Sequence, residues 1–339
     1  MSGQCGPGRY WQAGMEKDAK IYVAGHGGLV GSALVAELQS RGYTNILART
    51  HAELDLQNQA AVNDFFASEK PDYVFLAAAR VGGIGANSTK PAQFIYDNMM
   101  IGFNVVHAAY NHGVRKLMNL GSTCIYPKYA EQPIKEESLL TGALEETNDA
   151  YALAKISVIK LCSSYNKQYG TDFLSVMPTN LYGPGDNYDL QGSHVLPALV
   201  RKFDDAKKSG ADEVTLWGDG TPLREFLYSK DLAHGVVYLM ETKHAADVRN
   251  GAGDFVNIGS GKELAIRELA EKIRSIVYAD VPERQCAIHW DTSMPNGTPR
   301  KLCDITRMQE LGWSARTELD EGIAASYADY KASCRKRDA

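Results

Sequence analysis

Apolar positions along the chain fall into short continuous runs separated by helical stripes. Ile21-Tyr22-Val23-Ala24 is an apolar run of strand length, and beyond a glycine cluster Leu34, Val35 and Leu38 recur at helical spacing. Further strand-like runs lie at Asn45 to Ala48, Tyr73 to Ala77, Lys116 to Leu120 and Phe173 to Met177. Between them, Ala60 to Ser68, Pro91 to Asn111 and Ala150 to Tyr169 have helix length. Strands alternating with helices predict an α/β fold, a doubly wound parallel Rossmann sheet with right-handed crossovers.

After Gly183-Pro184-Gly185 the rhythm breaks into a loop rich in Gly, Asn and Asp, followed by a predicted helix from Pro197 to Lys208 and a strand-like Glu213 to Trp217. Leu227 to Met240 and Phe255 to Ile258 read as a return to the sheet, and Lys262 to Ile276 as a further helix outside it. The expected organisation is a cofactor-binding Rossmann domain over 20–184, with return segments near 226–260. A smaller α/β substrate domain is expected from 185–225 and 261–335. Residues 1–19 are glycine-rich and lack apolar periodicity, so a disordered tail is expected there.

The 339 residues are enough for a large core, and 44% apolar with 23% charged residues is ordinary globular composition. No run approaches the ~18 apolar residues of a membrane span. A formal charge of −5 argues against sequence-independent nucleic-acid binding. The six cysteines (Cys5, Cys124, Cys162, Cys286, Cys303 and Cys334) contain no CxxC pair, which points away from a metal site or disulfide framework and toward a reducing cytosol.

Gly25-His26-Gly27-Gly28-Leu29-Val30-Gly31 has the spacing GxxGxxG between the first strand and the first helix. A glycine turn there lets the backbone touch a pyrophosphate while the helix N-terminus offers unpaired N–H groups. At the end of the second strand the chain carries Arg49-Thr50-His51 where a plain ribose would favour an acid. The guanidinium suits a 2′-phosphate, so NADP(H) is expected over NAD, the alternative being that Arg49 is a solvated surface residue.

Tyr151-Ala152-Leu153-Ala154-Lys155 sets a phenol and an ammonium one helical turn apart. A second YxxxK, Tyr327 to Lys331, reads as a surface helix, whereas Tyr151 follows a strand ending Leu120-Gly121-Ser122. Lys155 would lower the cost of forming phenolate, and Ser122 would hydrogen-bond the same substrate oxygen, a set suited to hydride transfer to a ketone.

These residues resemble the extended short-chain dehydrogenase/reductase family from Lys20 to about Lys331. The strings Leu76-Ala77-Ala78-Ala79-Arg80-Val81-Gly82-Gly83-Ile84, Gly121-Ser122-Thr123-Cys124-Ile125-Tyr126-Pro127, Met177-Pro178-Thr179-Asn180-Leu181-Tyr182-Gly183-Pro184 and Trp217-Gly218-Asp219-Gly220-Thr221-Pro222-Leu223-Arg224-Glu225-Phe226-Leu227 resemble its GDP-L-fucose synthase group. The resemblance implies conversion of GDP-4-keto-6-deoxy-D-mannose to GDP-L-fucose: epimerisation at C3 and C5, then reduction of the C4 ketone by NADPH. It implies cofactor contacts from Gly25, Gly28, Leu29, Val30 and Gly31, and from Arg49, His51, Asp55 and Leu56. Ala78, Leu120, Gly121, Lys155, Pro178, Asn180 and Leu181 complete that set.

Cys124 and His194 match the family's acid/base pair, beside Ser122, Tyr151 and Lys155. Taken alone, Cys124 could be a small buried hydrophobe and His194 a helix cap. For the GDP-sugar, the resemblance implies Lys202, Trp217, Arg224, Asn296 and Lys301, although Trp217 alone would suit a core. Gly27, His51, Lys202 and Asn296 depart from the pattern of the bacterial enzymes. A sugar-nucleotide 4-epimerase or 4,6-dehydratase is the nearest rival, yet a dehydratase would carry an Asp-Glu pair where this chain has Thr123-Cys124. A non-catalytic redox-sensing Rossmann protein is the remote one, against which the intact site argues. The family also implies a homodimer through Phe94, Ile95, Met99, Phe103 and Val106 with the face around Ile156, Ile159 and Leu161, unless both faces are monomer core.

Overall fold

A computed structural model describes residues 14–337 apart from 191 and 295. The first half comprises β1 (Ile21–Ala24), α1 (Leu29–Ser40), β2 (Ile46–Leu47), α2 (Gln59–Glu69), β3 (Tyr73–Leu76), α3 (Ile84–Thr89), α4 (Pro91–Asn111), β4 (Lys116–Leu120), α5 (Asp149–Tyr169) and β5 (Phe173–Pro178). There follow β6 (Asn180–Tyr182), α6 (Val195–Ser209), β7 (Glu213–Trp217), β8 (Leu223–Tyr228), α7 (Ser229–Thr242), β9 (Arg249–Asn250) and β10 (Gly253–Ile258). The chain ends with β11 (Glu263–Ala265), α8 (Ile266–Val277), β12 (Ala287–Asp291), β13 (Arg300–Lys301), α9 (Thr306–Glu310) and α10 (Leu319–Arg337).

Strands β1, β3, β4 and β5 are buried at every position, so both faces of their sheet must be covered. In β1, Ile21 and Val23 join a core with Leu34, Val236 and Val237 from α1 and α7. Tyr22 and Ala24 point the other way, into a core with Phe66, Val105 and Val158 from α2, α4 and α5. A methyl group on Gly102 would lie 2.2 Å from a Val158 methyl, so α4 and α5 approach closely at that point.

The seven-stranded sheet has the order β2-β1-β3-β4-β5-β10-β9, parallel except for β9 against β10. The order reverses between β1 and β3, which places a crevice at their carboxyl ends. This is the doubly wound parallel sheet that the run pattern predicts. A separate core gathers Leu199 and Phe203 of α6, Leu216 of β7, Ile273 of α8 and Tyr327 of α10. Its strand β8 pairs with β6, β11 and β13, while β12 pairs with β7.

Three expectations need correction. Residues 1–13 of the expected tail lie outside the described residues, but Met15 is buried in the main core and Glu16 pairs with Arg115 at 2.8 Å. That ion pair holds the Glu16 carboxyl down to about 2. Tyr327 is not on a surface helix: it is buried, and its hydroxyl donates to Asp204 at 2.7 Å. Of the expected dimer face, Phe94, Val106, Ile156 and Ile159 are core. The exposed large apolar residues of α4 and α5 are Tyr96, Phe103, Leu153 and Tyr169, with Ile95, Met99 and Leu161 half-buried. Among the described residues no helix is long and apolar enough to cross a membrane.

Candidate active site

The glycine turn links β1 to α1 at the crevice. Gly25 has φ of +84°, and a Cβ there would lie 2.7 Å from the Ala78 backbone after β3. On Gly31 it would lie 2.0 Å from the Gly25 carbonyl oxygen, so helix and turn meet with no room for a side chain. Helix α1 starts at Leu29 and Val30 after Gly28 without a side-chain cap, which leaves its first-turn N–H groups free of intrahelical acceptors. His26 Nδ1 is buried in this turn with no partner in the protein. These features form a cradle for an anion.

Arg49, just beyond β2, donates to Glu69 at 2.8 Å and lies over the Phe65 ring. His51 is exposed, 3.8 Å from Asp55, while Leu56 is buried. Gly121 packs on Met177, where a Cβ would meet sulfur at 2.4 Å. Pro178 ends β5 and Leu181 packs on the main core. The Asn180 amide donates to the Glu225 carbonyl at 2.8 Å, so it ties β6 to β8.

The reactive groups meet where β4 ends and α5 begins. Ser122 caps a short turn that carries Cys124, its hydroxyl accepting the Cys124 N–H at 3.3 Å, and it lies on the Tyr151 side of the cleft. Lys155 is buried, donates to the Leu120 carbonyl at 2.8 Å, and lies 5.7 Å from the Tyr151 ring centre. Burial pulls its ammonium down to about 8, against the opposing pull of Cys124. The Tyr151 phenol is raised well above its ordinary value, by burial first and by Cys124 second. This differs from the expected lowering by Lys155, because desolvation dominates and the ammonium is directed at a backbone carbonyl.

His194 precedes α6 without capping it through its side chain. Its ring has solvent access, but the surrounding protein pushes the imidazole below its usual range toward the neutral form. The Ser193 carbonyl lies within 3.3 Å of where a Gly83 Cβ would stand, and Gly82 packs against Phe94, whose ring meets Tyr151 edge-on at 6.3 Å. The loop after β3 therefore connects the His194 and Tyr151 sides of the cleft. Phe94 and the Arg80–Asp97 ion pair at 2.8 Å shape that loop.

In the second lobe, Trp217 ends β7 and is 63% exposed, so it is not core. The Lys202 ammonium donates to the Thr215 carbonyl at 3.0 Å, and burial lowers its proton affinity. Arg224 and Lys301 are paired across β8 and β13. Asn296 accepts from the Asp219 N–H at 2.8 Å and thereby pins the turn at Gly218.

Two contacts lie beyond what the sequence motifs disclose. The Lys301 ammonium donates to Cys124 Sγ at 3.7 Å, and the Asn148 amide donates to the same sulfur at 3.6 Å. The Asn148 Oδ1 is buried without a protein partner. Its position three residues before Tyr151, one helical turn away, is the only sequence signal that could have drawn attention to it.

The model of the NAD dependent epimerase/dehydratase family matches residues 21–259. GDP-L-fucose synthase 1 of Arabidopsis thaliana is 53% identical over 315 residues, covering 93% of this chain and 94% of that one. GDP-L-fucose synthase of Escherichia coli K12 is 50% identical over 310 residues, covering 91% and 95%. A GDP-mannoheptose C4 reductase from Campylobacter jejuni, solved with NADP bound, superposes with a TM-score of 0.85 at 39% identity, covering 94% of this chain and all of its own.

Proposed function

Because the chain belongs to the NAD dependent epimerase/dehydratase family, and within it to the group of the GDP-L-fucose synthases, we propose that it converts GDP-4-keto-6-deoxy-D-mannose to GDP-L-fucose. The observation that carries this reading is the convergence of Ser122, Tyr151 and Cys124 at the carboxyl end of β4. Protons on C3 and C5 are both α to the C4 ketone. Donors to that one oxygen therefore serve both inversions and the later reduction. Ser122 and Tyr151 hold the oxygen, Cys124 removes a ring proton from one face, and His194 returns one to the other. Tyr151 then protonates the C4 oxygen, and Lys155 offsets the charge left on the phenol.

The glycine cradle, the uncapped N-terminus of α1 and the unpartnered His26 Nδ1 fit the pyrophosphate of NADP(H). Arg49 and His51 would face its 2′-phosphate. When bound, NADPH supplies the hydride. Lys202, Arg224 and Lys301 would take the GDP diphosphate, with Trp217 under the base.

Purified protein incubated in heavy water with GDP-4-keto-6-deoxy-D-mannose and NADPH tests this. The expected product is GDP-L-fucose deuterated at C3 and C5, with one NADPH consumed per product. The likeness to a C4 reductase favours a second reading, reduction without inversion. That reading is adopted if NADPH is consumed and the ring carbons carry no label.

The exposed Tyr96, Phe103 and Leu153, beside half-buried Ile95 and Met99, support a homodimer through α4 and α5. Sedimentation at micromolar concentration should give twice the chain mass, and a monomer there rejects it. The thiols of Cys124, Cys162, Cys286 and Cys303, reduced and scattered through the fold, suit a cytoplasmic location.

A further inference from the structure

We propose that Lys301 is a positioning residue for Cys124, its ammonium holding the thiolate that takes the ring proton, in addition to any contact with diphosphate. This rests on the epimerase reading above. Three observations carry it. The first is the 3.7 Å approach of Nζ to Sγ, with the Asn148 amide at 3.6 Å as a second donor to the same sulfur. A cation and a hydrogen-bond donor both aimed at one sulfur fix its position and can take up negative charge that develops there.

The second is the rigidity of the strand that carries the lysine. Arg300 is anchored by Glu263, and Lys301, one residue on, projects from the opposite face of the strand. Gln132 accepts from the Leu302 N–H at 2.8 Å, Ile134 donates its N–H to the Leu302 carbonyl at 2.8 Å, and the Cys303 N–H donates to buried Glu225 at 3.1 Å. The Lys301 backbone is therefore fixed on both sides.

The third is the charge around the sulfur. Tyr151 and Lys155 face Cys124 from α5, and Cys303 interacts with it from the segment after β13. Lys155 is committed to the Leu120 carbonyl, while Lys301 is the ammonium that touches Sγ.

In the step itself, the thiolate takes the proton from C3 or C5 and becomes a thiol. The C–H electron pair moves into the ring and onto the C4 oxygen as enolate. His194 then gives its ring proton to the carbon on the opposite face while taking one from solvent, and the electron pair returns to the carbonyl. Solvent resets both side chains.

The test reads the sulfur without turnover. Iodoacetamide alkylation of Cys124 is followed by peptide mass spectrometry on the full chain, free of substrate and cofactor, for wild type, Lys301→Gln and Lys301→Arg. At pH 7, Lys301→Gln is expected to slow alkylation about tenfold and Lys301→Arg to keep it within about threefold. All three should converge near pH 10, where the thiol ionises unaided. Buried Cys162 in the same digest reports that each chain is folded.

A second measurement leaves Lys301 untouched. The ultraviolet thiolate absorbance of wild type minus Cys124→Ser should be present at pH 7, and its absence overturns the proposal. During turnover, Lys301→Gln should move the acid limb of the epimerisation profile upward and leave its alkaline limb in place. Unchanged alkylation with a raised KM would mean that Lys301 only binds diphosphate, and the proposal falls. If alkylation behaves as expected but no GDP-L-fucose forms, the cysteine–lysine pair stands and the substrate reading fails.

Discussion

In the proposed mechanism Lys155 meets two opposing demands, since its charge supports Tyr151 while its burial disfavours that charge. Because its ammonium is drawn down to about 8, it begins to lose its proton within the working range of the enzyme. Below that pH the ammonium is present to balance the phenolate, and above it the support disappears. We therefore expect kcat/KM for ketone reduction, followed by NADPH absorbance, to be level below about pH 8 and to fall above it. Lys155→Met should be slow throughout and lack this limb, with a loss of about 10²–10⁴-fold. Arg49 makes a different kind of prediction, because its guanidinium already has a carboxylate partner in Glu69. A 2′-phosphate must share or replace that partner. Arg49→Ala should raise the KM for NADPH about tenfold or more and leave that for NADH nearly unchanged; equal losses for both would place Arg49 outside the phosphate site.

At the scale of elements, the cleft depends on a short polar strand more than on any long helix. The Glu225 carboxylate, fully buried, accepts N–H groups from Gly261 and Cys303 and so fastens β8 to the segments flanking β11 and β13. Glu225→Ala would leave both donors buried and unpaired, at a cost of about 2–4 kcal/mol. Urea unfolding should show the midpoint falling with the slope unchanged. The main sheet strands were legible in the sequence because β1 and β3 are unbroken apolar runs and β4 and β5 nearly so, and the glycine turn because its spacing sits between strand and helix. Strand β13 was not, because Arg300-Lys301 is polar, only two residues long, and defined by partners at Gln132, Glu225 and Glu263. For the same reason the sequence implies only a GDP-sugar role for Lys301. Its contact with Cys124 spans 177 positions, a distance over which no periodicity operates. Met15 escaped notice because one apolar residue among polar neighbours makes no pattern, although it finds a place in the core.

On the scale of the whole molecule, the two lobes are interleaved rather than strung in series. Strands β9 and β10 close the main sheet, and α7 covers one of its faces, yet all three follow the α6 and β7 excursion in the chain. A fragment of residues 14–184 would leave the edge of β5 unpaired and half of one face uncovered. It is expected to be aggregated or unfolded by circular dichroism and gel filtration, and a soluble, cooperatively melting fragment would contradict this. Interleaving also bears on biosynthesis. Translation is one-directional, and the cysteine leaves the ribosome 177 residues ahead of its lysine. Ser122, Tyr151 and Lys155 all lie in the first half of the polypeptide, yet they wait on β10 and α7 for a finished sheet beneath them.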